Sequence, residues 1–325
     1  MKQNDFLDIV KFLLACFVLA IHAGLSFRIG CVDLVWPWVR LAVPLFFVIS
    51  SYIFFSRLQL TQDKFGVLMG LARRTVVLYG FWFFILLPIT LYIRRGNWFG
   101  HGLWINLFNF LKSLFLGSTF ISSWFLTALL IAIIIIFIMT QICPTWLIVL
   151  ISTIPFVWAV VSSSYGIQGF LLGIIPYNSF PVAILWVAIG KYFSEDRDFF
   201  KMSVWGISVC LILSFILLFA EWYWRSNAVG CYKCDCYFSL VPTSVFAFAL
   251  IKKVMVKCVF AKHLRSLSVI IFVMHGSILV FIPARILGQN QICRFFVAFV
   301  VCFFSYSFIL KLKDKKYFGW LKYSY

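Results

Sequence analysis

Three ionisable side chains, Asp8, Lys11 and His22, lie in one apolar stretch near the start of the chain. Inside a hydrocarbon layer each such group costs a few kcal/mol or more, so its presence points first to function. At about 100° per residue, the steps from Lys11 to His22 close to a net rotation of about 20°, and those from Asp8 to His22 to about 40°. All three project from one face of a helix, with Lys11 and His22 about 16 Å apart along its axis. An imidazole titrates near neutral pH and suits proton transfer; a buried, merely hydrogen-bonded ring is the competing account of His22. For Lys11 the competing account is a snorkelling ammonium near a helix end, paired with Asp8 at i,i+3. A second histidine, His275, closes the run Val269-Ile270-Ile271-Phe272-Val273-Met274-His275, where an interhelical hydrogen bond is the readier explanation. The pair Arg73-Arg74 reads either as a topology marker or as a clamp for a phosphate-bearing ligand. Arg40 and Glu221 sit near the ends of apolar stretches and read as interfacial anchors.

The elements that must position these groups are membrane helices. Of 325 residues, 64% are apolar and only 12% charged, with 40 Phe. An ordinary soluble protein carries about 25% charge, so too little polar surface exists here to coat a water-soluble globule. Ten apolar runs stand between charged or Pro/Gly-rich borders: residues 6–27, 38–55, 76–93, 124–142, 146–162, 179–193, 203–223, 238–251, 267–286 and 293–310. At about 20 residues per span this predicts an all-α, polytopic bundle of about ten transmembrane helices. The runs do not alternate with period two, which argues against a barrel. Residues 103–115 are apolar on one face only and read as an interfacial helix. No hydrophilic stretch is long enough for an appended soluble domain, and no internal repeat is visible, so residues 1–325 read as a single integral-membrane domain.

With the N-terminus inside, eighteen of the 28 Lys and Arg residues fall on the cytoplasmic side and eight outside, with Lys11 and Arg40 within spans. That bias places both termini in the cytoplasm. Much of the net charge of +18 is thus a topology signal, and nucleic-acid binding is the poorer explanation. The opening run is interrupted by Asp8, Lys11 and His22 and lacks a small-residue cleavage site, so it reads as a retained helix.

Taken together, the motifs resemble the integral-membrane acyltransferase family called acyltransferase 3. The opening helix carries Leu7-Asp8-Ile9-Val10-Lys11, then ten residues and His22. Val43-Pro44-Leu45-Phe46-Phe47-Val48-Ile49-Ser50-Ser51 follows, then Arg73-Arg74, Trp124-Phe125-Leu126, and Ile271-Phe272-Val273-Met274-His275. Ser51 stands where the family usually has Gly, Lys11 where Arg is commoner, and Phe272 where Tyr is frequent. The resemblance implies transfer of an acyl group, commonly acetyl from acetyl-CoA, to a hydroxyl of a cell-surface or lipid-linked carbohydrate such as an O-antigen, capsule or exopolysaccharide unit. His22 would then serve as general base, since a sugar hydroxyl needs its proton removed during attack. Lys11 and Asp8 would position each other, and Lys11, Arg73 and Arg74 would meet the CoA phosphates. Ser50, Trp124 and His275 would support the site. An acyl-histidine relay remains open beside direct base catalysis.

Acyl-CoA enters as a substrate and no bound cofactor is expected; the partners are the donor, the carbohydrate acceptor and membrane lipids, in a bacterial inner membrane. Cys231, Cys234 and Cys236 lack a second ligand pair, so one or two disulfides are expected there before a metal. A glycan transporter or flippase is the rival reading. It is disfavoured by the absence of repeats and of paired broken helices.

Overall fold

The computed structural model describes residues 5–29, 32–100, 102–167, 174–195, 201–229, 234–281, 290–315 and 319–325. Apart from a two-residue antiparallel pairing of Arg28–Ile29 with Val32–Asp33, the described regular structure is helical. Helix α1 spans Asp5–Ala23, with Asp5 and Asp8 in its first turn, the end where the helix dipole favours negative charge, and His22 in its last. It stops because Gly24 takes φ 78° and Leu25 N–H turns back to Ala20 O at 2.9 Å, the left-handed helix stop that glycine accommodates without strain.

One turn, α2 (Trp36–Val39), precedes α3 (Ala42–Leu58). Buried Asp33 caps α2, its Oδ1 accepting Val35 N–H at 2.9 Å and Trp36 N–H at 3.2 Å. The apolar run at 76–93 is not one helix. It divides between α4 (Lys64–Ile85) and α5 (Leu87–Phe99), because Pro88 has no N–H to continue the ladder to the carbonyl of Phe84. Helix α6 (Leu103–Phe115) coincides with the predicted interfacial segment. It folds back on α5 through Trp98, whose indole N–H reaches Ser113 Oγ at 3.1 Å and whose ring meets Phe110 at 5.1 Å. Along it, Leu103, Trp104, Ile105, Leu107, Phe108, Leu111 and Phe115 are exposed.

Then come α7 (Ser123–Met139), α8 (Thr145–Ser164), α9 (Phe180–Ser194), α10 (Val204–Val229), α11 (Leu240–Lys253), α12 (Ala261–Phe281) and α13 (Gln291–Leu312). Every sequence-read apolar run overlaps one of these helices. Seven described segments are long and apolar enough to cross a membrane: Asp5–Ala23, Trp36–Leu58, Lys64–Ile85, Thr145–Ser164, Val204–Ala228, Ala261–Phe281 and Gln291–Leu312, while α7 and α9 are apolar but shorter.

The centre of the bundle is α1, α3, α9 and α12. Gly190 of α9 lets α3 approach so closely that a Cβ there would fall 2.5 Å from Val48 O and 1.9 Å from Ser51 Oγ. Ser51 turns its hydroxyl back onto its own helix, donating to Phe47 O at 2.7 Å, which spares the core an unmet polar group. The departure from the glycine of the motif is thereby absorbed by a glycine on the facing helix. Residues Gly319–Ser324 form a 3-10 turn seated against α4, where the Trp82 indole N–H meets Ser324 O at 2.9 Å.

Candidate active site

Helices α1 and α12 pack along each other and run in the same direction. Near their N-terminal ends Asp5 Oδ2 accepts Cys258 N–H at 3.1 Å, and the buried carboxylate Oδ2 of Asp8 lies 3.6 Å from Arg265 Nε. Toward their C-terminal ends the rings of His22 and His275 stand 4.9 Å apart between centroids, tilted by 43°. His22, on α1, is exposed. His275 is fully buried, and its Nδ1 lies 2.9 Å from Ile271 O. A carbonyl only accepts, so Nδ1 carries the proton and Nε2 is left as a bare acceptor. That Nε2 is buried and meets no hydrogen-bond partner among the described residues.

The wall beside His275 is aromatic. Phe272 lies 6.3 Å from it, Phe125 5.0 Å from Phe272, and Phe46 and Phe47 lie 5.9 and 4.4 Å from Phe125. Trp124 is one ring further out, 6.2 Å from Phe47. Ser50 is half-buried on α3 and makes no side-chain hydrogen bond among the described residues. The turn after α6 leans on the same spot. Gly117 adopts φ 67° to enter it, and Ile121 sits so close to Gly276 that a Cβ there would be 2.6 Å away.

Arg40 departs from its interfacial reading. Its side chain is only 10% exposed, pairs with Asp235 at 2.6 Å and stacks 4.0 Å over Trp36, and its charge reaches His22. The cap by Asp33 holds α2 so that Trp36 and Arg40, at i and i+4, share this inward face.

At the other end of the α1–α12 seam the balance is cationic. Lys11 lies within charge reach of Asp8, Arg265, Arg57 and Arg74. Four cations against one buried carboxylate leave a surplus positive field, and Arg57, Arg74 and Arg265 are exposed and able to meet an anion. Of the basic pair, it is Arg74 whose charge reaches Lys11. Arg57 and Arg265 read in the sequence as topology markers only. A signal was present: Arg265 precedes His275 by ten residues much as Lys11 precedes His22 by eleven.

Glu221 also has a structural task rather than an interfacial one. It accepts N–H bonds from Phe238 at 2.9 Å and Ser239 at 2.7 Å, the Ser239 hydroxyl, and the Tyr165 hydroxyl at 3.2 Å, so it caps the start of α11. Burial, and then the Glu221 charge, push the Tyr165 phenol up to about 12. In the loop before α11, Cys236 is a buried thiol, not half of a disulfide, and burial followed by the Asp235 charge pushes its pKa up. Cys231 lies outside the described residues. No metal-ligating cluster occurs among the described residues.

A family model described as an acyltransferase domain, Acyl_transf_3, matches residues 4–311. No curated protein and no solved structure matches the chain.

Proposed function

Because the chain belongs to the acyltransferase 3 family, we propose that this membrane acyltransferase moves acetyl from acetyl-CoA to a hydroxyl of a cell-surface or lipid-linked carbohydrate. His22 acts as general base. It takes the hydroxyl proton as oxygen attacks the thioester carbonyl, and returns it to the sulfur as the carbon–sulfur bond breaks. Lys11, Arg74, Arg57 and Arg265 hold the phosphates of the donor, and Asp8 keeps Lys11 and Arg265 in place.

The observation that carries this reading is the α1–α12 seam. It joins a cationic cluster around Asp8 and Lys11 to an imidazole pair about 16 Å further along one helix face. An extended pantetheine arm, anchored by its phosphates in the cluster, would present its thioester toward His22. The parallel course of α1 and α12 agrees with their assignment as the first and ninth of ten spans, both entering from the cytoplasm, where CoA is. Both termini are then cytoplasmic, and the setting is a bacterial inner membrane.

Mass spectrometry of the surface glycan tests the reading. A deletion strain should lose an acetyl increment while keeping polymer length, and only wild-type protein, not His22→Ala, should restore it. Full acetylation by His22→Ala refutes the base role. A missing or truncated polymer refutes acyl transfer altogether.

A further inference from the structure

Resting on that reading of His22, we infer that His275 is the positioning residue for the base, its Nε2 accepting the N–H of His22 while the opposite nitrogen of His22 faces the acceptor hydroxyl. A catalytic imidazole needs one bare nitrogen toward its substrate, and that tautomer is set by the hydrogen bond its other nitrogen makes. His275 is built for this task. Its Nδ1 is spent on Ile271 O at 2.9 Å, so Nε2 can only accept. It is wholly buried and unmet among the described residues. The His22 ring stands at contact distance, 4.9 Å between centroids.

The rest of its surroundings holds the ring still. Phe272 packs one turn below it, and Ile121 presses against the Cβ-less Gly276 beside it. A buried polar atom that meets nothing is costly, and the ring that carries it stands against the ring of His22. In the reaction His275 exchanges no proton. When His22 takes the hydroxyl proton, the neutral His275 acceptor supports the resulting imidazolium, and the proton leaves His22 for the departing sulfur. His275 therefore acts through His22 and touches no reacting atom.

The test uses purified full-length protein with acetyl-CoA as donor and lipid-linked glycan extracted from the source membranes as acceptor. His275→Leu removes the acceptor atom. It should lower kcat about a hundredfold, within the range of one general-base contribution, with both KM values within about threefold of wild type. His275→Gln carries an amide oxygen to about the place of Nε2 and should recover at least about tenfold over Leu. His275→Asn can still donate to Ile271 O but does not reach, so it should resemble Leu. Monodispersity and unchanged CoA binding establish that each variant is folded. If Leu does not fold, the Gln–Asn comparison decides. Equal activity of Gln and Asn, or a loss confined to KM, overturns the inference. An inactive His22→Ala beside a fully active His275→Leu overturns this inference alone, whereas a fully active His22→Ala removes the catalytic reading beneath it.

Discussion

Arg265 serves two masters, and Arg265→Gln separates them. The guanidinium lies 3.6 Å from Asp8, but its side chain is 45% exposed while that of Asp8 is 8% exposed. Two unit charges at that separation attract by about 4–5 kcal/mol at an effective dielectric of 20 and by about 1 kcal/mol in water. With one partner nearly half in solvent the net worth falls toward the lower figure, in line with exposed pairs. The variant should cost about 1 kcal/mol of stability, a shift of a few degrees in melting temperature. Its effect on donor binding is of similar size and separate origin. One cation about 6 Å from a phosphate charge, in surroundings near those of water, contributes about 0.7 kcal/mol, which is about a threefold rise in KM for acetyl-CoA. Screening sets the sign of the salt dependence: the wild-type KM should rise with added salt, and the variant's should rise less. The assay is a donor titration at low and high salt, with a thermal melt of the same samples. An unchanged KM and an unchanged salt response, beside a lowered melting temperature, would show that Arg265 merely pins α12 to α1, and the donor site would have to be sought elsewhere.

Gly190→Ala places a methyl group 2.5 Å from Val48 O and should destabilise the α3–α9 crossing by about 1–3 kcal/mol, as overpacking does. Ser51→Gly restores part of that loss by removing the second clash, and no restoration in thermal melts would mean that the two positions do not face each other. The Tyr165–Glu221 link should hold below about pH 10 and be lost as pH rises toward 12, since the folded phenol titrates above its unfolded value of 10.0. Melts of Tyr165→Phe should therefore fall less steeply over that window, and an identical pH profile counts against the assignment. A membrane-impermeant maleimide at pH 8.5 should label exposed Cys293 and spare buried Cys236; peptide mapping that finds the label on Cys236 as fast as on Cys293 would contradict that burial.

Much of this was legible in the sequence because the bilayer imposes a simple code. Long apolar runs can only be helices there, and each of the ten overlaps helical structure, the run at 76–93 being divided between two helices. The face shared by Asp8, Lys11 and His22 follows from helical periodicity alone. What the sequence could not show is which helix that face meets. The approach of His275 to His22, and of Arg265 and Arg57 to Lys11, joins positions up to 254 residues apart in chain number, and nothing local encodes it. The division at Leu86 could have been read from Pro88, whose effect was masked by the unbroken hydrophobicity around it. Arg40 and Glu221 look interfacial in the sequence for a related reason. A charge near the end of a span looks interfacial until the loop it caps or pairs with, here residues 234–239, is seen folded back over it.

The seam itself makes the sharpest demand. Between Asp8 and His22, at two successive intervals of seven residues and so within about 20° of each, stands Ala15, which is fully buried. Small residues let membrane helices approach closely, and this one sits midway between the cationic cluster and the imidazole pair. Ala15→Leu would force α1 away from its neighbour or rotate it, at a cost of about 1–3 kcal/mol if the fold absorbs the added atoms. The donor cluster, solvated and built from long flexible side chains, can follow such a shift. The imidazole pair, held by a buried ring that cannot turn, cannot. Ala15→Leu should therefore leave KM for acetyl-CoA within about threefold while kcat falls about a hundredfold, the loss expected when a base is displaced by as little as an ångström. Steady-state kinetics on a variant that melts within a few degrees of wild type would decide the matter. A normal kcat there would mean that the distance between α1 and α12 does not govern the chemistry.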